Sequence, residues 1–243
     1  MRSVYGVVAA MTMSAILVSA VESRAGLTGT TTYDVFQNGS RVGSERLTWT
    51  EADGGLVTLE GECVLDVGGV STTLRPSLTI DATTLAPTRY SREMELGDRT
   101  DLIEATFDGG KAVMVVKENG SSSKRNLKIK PAELVIDDHV MSLITLVADR
   151  YDFEKGGEQA LTVFDTEGGK AHAAHAMVRG MGTFQNAAGS WRLKRLTVNL
   201  EDVAVDLLVD DSGRVPLISM PIKNMEARLA NYSGNSKAEA LGK

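Results

Sequence analysis

Residues 56–81 read LVTLEGECVLDVGGVSTTLRPSLTID, and the alternation in this stretch decides the fold. Val57, Leu59, Gly61, Cys63, Leu65 and Val67 occupy one phase of a two-residue period, while Glu60, Glu62 and Asp66 occupy the other. That is the pattern of a strand with one buried and one wet face. Gly68-Gly69 reverses the chain, after which Val70, Thr72, Leu74, Pro76, Leu78 and Ile80 alternate with Ser71, Thr73, Arg75, Ser77, Thr79 and Asp81. Two such runs joined by a tight turn form an antiparallel hairpin. Pro76 cannot donate to a ladder, so an edge or a bulge is expected there.

The same reading extends in both directions. Upstream, Asn38-Gly39 joins strands 32–37 and 42–51, and downstream strands 88–96, 99–107, 111–118 and 121–129 follow with Gly-containing turns between them. The period changes once, over 137–151, where Val140, Leu143, Ile144, Val147 and Tyr151 recur at helical spacing. Asp137 or Asp138 is positioned to cap this helix, expected at about 138–151, and its apolar stripe must lie on the sheet. Strands then resume at 159–166, 170–179, 190–200, 203–210, 215–220 and 224–229. The fold class expected is mainly β, a strongly curved antiparallel meander or half-open barrel with one amphipathic helix on or in its concave side. One domain over 26–232 and a frayed tail at 233–243 complete the organisation.

At the amino terminus, Met1-Arg2 precedes an apolar run over 4–21, and Ser23-Arg24-Ala25 or Val18-Ser19-Ala20 supplies a small-x-small cleavage pattern. A signal peptide at 1–25 is expected, which predicts a periplasmic or secreted protein with no membrane span after cleavage. The lone cysteine, Cys63, sits on the apolar phase of its strand among acidic neighbours, so it reads as a small buried hydrophobe and not as a nucleophile.

The 243 residues are 42% hydrophobic and 24% charged, enough apolar content for a packed core. With 26 Lys and Arg against 32 Asp and Glu, the net charge of −6 argues against nucleic acid as a partner. His172 and His175 lie an odd number of residues apart and point to opposite faces of a strand, so no metal site and no cofactor is expected. Ser121-Ser122-Ser123-Lys124 matches a serine-x-x-lysine pattern, but it follows a hairpin turn and leads into a strand, where the lysine is not one helical turn from the serine. No catalytic residues are assigned, and a non-enzymatic protein is expected. Tyr90, Arg92 and Met94 share one strand face, as do Trp191, Leu193 and Arg195. Each set places an arginine beside apolar groups, as a groove for an amphipathic ligand would. Together with Leu143 and Val147 of the helix, Tyr90, Arg92, Met94, Trp191 and Leu193 are the candidate ligand-binding residues.

Three motifs add a resemblance: Tyr33-Asp34-Val35-Phe36-x-Asn38-Gly39-x-x-Val42-Gly43, then Asp137-Asp138-x-x-x-Ser142-Leu143, then Val209-Asp210-Asp211-x-Gly213-Arg214-Val215 followed by Pro221. The chain resembles bacterial exported families of unknown function whose fold is similar to periplasmic lipoprotein and lipid carriers. The resemblance implies a curved sheet with a helix in its mouth, a periplasmic setting, and a lipid or lipoprotein acyl chain as ligand. A structural or interaction protein of the cell envelope is the alternative.

Overall fold

A computed structural model of the chain describes residues 28–201 and 203–234. The expected signal peptide and all but the first two residues of the expected tail lie outside the described residues.

The alternating runs become fifteen strands of one sheet. Eight come first, β1 (Gly29–Gln37), β2 (Ser40–Ala52), β3 (Leu56–Val67), β4 (Val70–Asp81), β5 (Pro87–Leu96), β6 (Arg99–Asp108), β7 (Lys111–Glu118) and β8 (Ser121–Lys128). A short β9 (Leu134–Ile136) precedes a 3-10 turn at Met141–Thr145 and α1 (Leu146–Arg150). Then follow β10 (Gln159–Asp165), β11 (Lys170–Asn186), β12 (Gly189–Leu200), β13 (Val203–Val209), β14 (Leu217–Met220) and β15 (Met225–Leu229). The strand order is β8-β7-β6-β5-β4-β3-β2-β1-β15-β14-β13-β12-β11-β10-β9. Two meanders therefore stand side by side, joined where β1 pairs antiparallel with β15 from Tyr33 opposite Leu229 to Gln37 opposite Met225.

Hairpin turns set the register, and their chemistry is that of the sequence. Asn38 and Gly39 take φ of 50° and 79°, and Asn119 and Gly120 take 50° and 73°, the positive values that tight two-residue connections between twisted strands need. Irregularities at Val35/Phe36, Thr79/Ile80 and Val178/Met181 bend the sheet. It curls until its arms face one another. Phe107 of β6 packs edge-to-face on Phe164 of β10, ring centres 5.0 Å apart, although eleven places separate these strands in the sheet order. The outermost strands β8 and β9 do not pair, so the barrel stays open.

The buried phase is the expected one: Val57, Leu59, Cys63, Leu74, Leu78 and Ile80 are all at most 3% exposed. Burial, followed by the charges of Glu45 and Asp137, pushes the Cys63 thiol far above its ordinary range, so it is not a thiolate nucleophile. Pro76 corrects an expectation. It lies in an interior strand, between β3 and β5, where the β3–β4 ladder is interrupted between Glu60/Ser77 and Cys63/Leu74. Gly61 stands in that gap. A side chain there would run into Pro76 and Leu47, so the glycine makes the room the ring occupies.

The helix is shorter than its periodicity predicts and differently built. Its stripe residues Val140, Leu143, Ile144, Val147 and Tyr151 are buried as expected, but Met141, Ser142, Leu146 and Ala148 are buried too. A segment covered on nearly every side is an inserted plug, not an amphipathic helix lying on a surface. Neither Asp137 nor Asp138 caps it. The amides of Met141 and Ser142 donate instead to Glu45 of β2, each at 2.9 Å. Two further differences are the parallel β9, too short to leave a pattern, and β11, which runs past the expected end at 179 through Gly180 (φ 110°) to Asn186.

Candidate functional site

The plug is held by two buried carboxylates. Glu45 shares the inward phase of Leu47 on β2 and is fully buried; besides the two amides it accepts from the Ser142 hydroxyl. Burial pushes its carboxyl above the ordinary range, against the lowering effect of those three donors. The same burial, with Glu45 next in effect, pushes the Tyr33 hydroxyl far up, and that hydroxyl donates to the Val215 carbonyl at 2.9 Å.

The second carboxylate is Asp137, just after β9. Tyr90 donates its hydroxyl to Asp137 at 2.7 Å, Thr166 at 2.9 Å, and the His139 amide at 2.9 Å. Arg92 Nη1 approaches both Asp137 oxygens, at 2.7 and 3.0 Å. The same nitrogen lies 2.8 Å from Glu167 Oε1 and 2.9 Å from His139 Nδ1. Burial alone would raise the Asp137 carboxyl, yet His139, Arg92 and Tyr90 together hold it well below the carboxylate range. His139 is pushed up to about 9, by Asp137 first and Glu167 second, so its imidazole is cationic at neutral pH. His139 and then Arg92 lower Glu167 in turn.

Asp137, His139 and Glu167 offer ligating atoms within 4.8 Å of one another, a spacing that could hold a metal ion. The Arg92 nitrogen, within 3.0 Å of one such atom from each, already supplies a positive charge at that point. The cluster is thus an internal salt-linked latch, tying strand β5 to the plug and to the turn after β10.

Beside the plug a groove of about 630 Å³ opens between the sheet and α1. Tyr33, Leu47 and Trp49 of β1 and β2, Leu146 and Ala148 of α1, Tyr151, Phe153, Val215 and Leu229 give it an apolar lining. Thr30, Thr31, Thr32, Thr145, Asp149, Ser212, Arg214 and Asn231 add polar groups. Tyr151 and Phe153 pack edge-to-face at 4.9 Å.

The candidate residues read from the sequence separate into three places. Tyr90 and Arg92 meet in the latch, and Met94 packs half-buried against the core one step along the same face. Leu143 and Val147 are core, at 2% and 0% exposed, and the groove is lined instead by the neighbouring Thr145, Leu146, Ala148 and Asp149. Trp191 and Leu193 belong to a separate aromatic cluster with Phe184, Leu208 and Tyr232. Leu193 is three residues from the core residue Leu196 on one strand, which puts this cluster on the opposite face of the sheet. His172 and His175 do diverge, the first largely covered and the second exposed.

Glu45, Asp137, His139, Ser142 and Glu167 were not legible as site residues. For Glu45 a signal existed: it is a charge in the apolar phase of Leu47 and Trp49. Asp137 carried none, because its partners lie 45 and 47 residues away in the chain.

The family model described as "Protein of unknown function (DUF3108)" matches residues 32–218. A crystal structure from Brucella abortus, a β-barrel-like protein of the domain of unknown function DUF1849, superposes with a TM-score of 0.56 at 12% identity, covering 83% of this chain and 95% of that one. A DUF1089 family protein from Pseudomonas aeruginosa aligns with a TM-score of 0.43 at 12% identity, over 71% of this chain and 87% of its own. No curated protein matches.

Proposed function

The chain belongs to the DUF3108 family of proteins of unknown function, and from that footing we propose that it is an exported, periplasmic, non-catalytic protein that holds an apolar or amphipathic ligand, a lipid or a lipoprotein acyl chain. The observation that carries this reading is the groove of about 630 Å³ beside α1. Its volume falls in the range of small-ligand sites, and a lining shared between apolar and polar groups suits a chain with a polar head. The charged groups in the lining are Asp149 and Arg214, the latter held in place by its ion pair with Asp210.

A binding role is also supported by what the polar groups nearby do. Ser142 and Glu45 bond to each other behind the groove lining. Ser212 donates to Asp210 within its own turn, at 2.7 Å, and none of the three histidines lines the groove. The hydroxyls nearest the groove are thus engaged in holding the fold together.

Trp49 lines the groove while Trp191 sits on the other face of the sheet, and the chain has only these two tryptophans. In a Trp191→Phe background, a bromine-labelled long-chain fatty acid should quench Trp49 emission saturably, and Thr31→Phe, which adds bulk to the lining without a second indole, should weaken the binding at least tenfold. Quenching that does not saturate, or that Thr31→Phe leaves unchanged in a protein of unaltered melting temperature, would overturn the reading.

A further inference from the structure

The net negative charge of the chain hides a local field of the opposite sign. Residues 111–130, which form β7 and β8, contain six of the 26 basic residues and only one of the 32 acidic ones, Glu118, which is paired with Arg99. Strand pairing sorts them by face. Lys111 stands directly opposite Lys128, Val115 opposite Lys124, Val113 opposite Asn126, and Lys117 opposite Ser122. Ala112 and Met114, in the other phase, are buried in the core, so Lys111, Lys117, Lys124 and Lys128 share the outer face. All four are exposed, and none makes an ion pair among the described residues.

A like-charged pair directly across two strands opposes folding, so the Lys111/Lys128 pairing needs another reason. Part of one is that lysines on an edge strand discourage unwanted strand pairing, but only β8 is the edge; Lys111 and Lys117 are on β7, which is paired on both sides. Along β7 Lys111 and Lys117 flank half-buried Val113 and Val115, and on β8 Lys128 and Lys124 stand opposite Lys111 and Val115, an apolar centre edged by cations. Acidic neighbours are few: across the β6 edge of the patch stand Glu104, which is paired with Arg89, and Asp108 opposite Lys111.

We propose that this outer face of β7–β8 docks the protein on an anionic phospholipid bilayer. Lysines are point charges without the planar fork that reads a single phosphate, and neither strand has an aromatic residue on which a base could stack, so the patch suits a continuous negative surface. The valines fit the boundary between head groups and acyl chains, and the lysines fit the head groups. Because the remainder of the chain carries a net negative charge, an anionic surface favours the orientation that presents this face. This inference uses a face remote in sequence from the groove lining and holds or fails independently of the groove.

The test is co-sedimentation of the full chain with vesicles of pure phosphatidylcholine and with vesicles containing about 30% phosphatidylglycerol. Any affinity or charge preference conferred by the apolar run at 4–21 and its flanking Arg2 and Arg24 is common to the wild type and the variants, so the difference between them isolates the patch. The wild type should prefer anionic vesicles, each lysine neutralised should weaken that preference about fivefold, and K111Q/K117Q/K124Q/K128Q should lose it. The control K155Q/K170Q/K194Q/K223Q should retain it. Should the neutralised edge make that variant self-associate, two measurements take its place: K111R/K117R/K124R/K128R must keep the preference, and in the wild type the preference must fade as salt rises towards about 0.5 M. A wild type indifferent to vesicle charge, or a four-lysine variant that keeps the preference, overturns the proposal and leaves guarding of the sheet edge as the lysines' whole role.

Discussion

Arg92 Nη1 carries two hydrogens and lies within 3.0 Å of both Asp137 oxygens, Glu167 Oε1 and His139 Nδ1. Holding its own proton, the imidazole ion-pairs with the carboxylates, Nδ1 lying 3.3 Å from Glu167 and 3.6 Å from Asp137. Raised from 6.5 to about 9 on folding, His139 contributes stability that is complete below pH 6.5 and is lost as pH rises through 9. The urea midpoint should therefore fall across that window, and His139→Gln should flatten the fall; an unchanged profile in the variant would show that His139 is not the titrating group. Asp137 behaves oppositely, stabilising above its ordinary value of 3.8 and failing only in strong acid. Asp137→Ala leaves a buried guanidinium and two hydroxyls without their acceptor, which should cost about 3–5 kcal/mol in denaturant unfolding. For Glu45→Ala, which strands two buried amides, the expected loss is about 2–4 kcal/mol by the same measurement. Tyr90 and Arg92 could be read from sequence because their phase puts them inside; their acceptor could not, because a carboxylate before a helical pattern looks like a cap.

At the level of the element, most strands were legible to within two residues of their ends, with β11 the main exception. Alternation and Asn-Gly or Gly-Gly turns are local signals, and a sheet joined by hairpins asks for little else. Beta9 left no trace because three residues cannot show a period and its partner is β10, more than twenty residues away. The plug was read as a longer helix because periodicity reports only one buried face. Contacts made by Glu45 and the groove lining arise from elements the local pattern does not see. The distinction is testable: Leu143→Ala, in the core, should cost about 2–5 kcal/mol in unfolding free energy. Thr145→Val, at the groove, should cost at most about 1.5 kcal/mol, the loss of its hydrogen bond to Ser142. Equal losses would contradict the assignment of Leu143 to the core and Thr145 to the groove wall. Gly61 offers a check on β4: Gly61→Val, which forces a side chain against Pro76 and Leu47, should destabilise by about 1–3 kcal/mol.

Over the whole molecule, a fifteen-strand sheet curls until β6 meets β10 and stops short of closing. Alternation shows that each strand has an inside, but not whether the inside is filled or hollow. Here it is both: the plug of 141–150 fills one part, latched by Glu45 and Asp137, and the groove beside it remains open. The same balance explains why an acidic chain carries a cationic face, since net charge averages over surfaces that the fold keeps apart. The central claim is that the open part holds a lipid. It is tested most directly by purifying the protein from cell envelopes without detergent, extracting it with organic solvent and weighing the extract by mass spectrometry against a mock purification. The account predicts a lipid in stoichiometric amount from the wild type and a reduced amount from Thr31→Phe. A clean extract, unchanged after incubation with total membrane lipid, would contradict it.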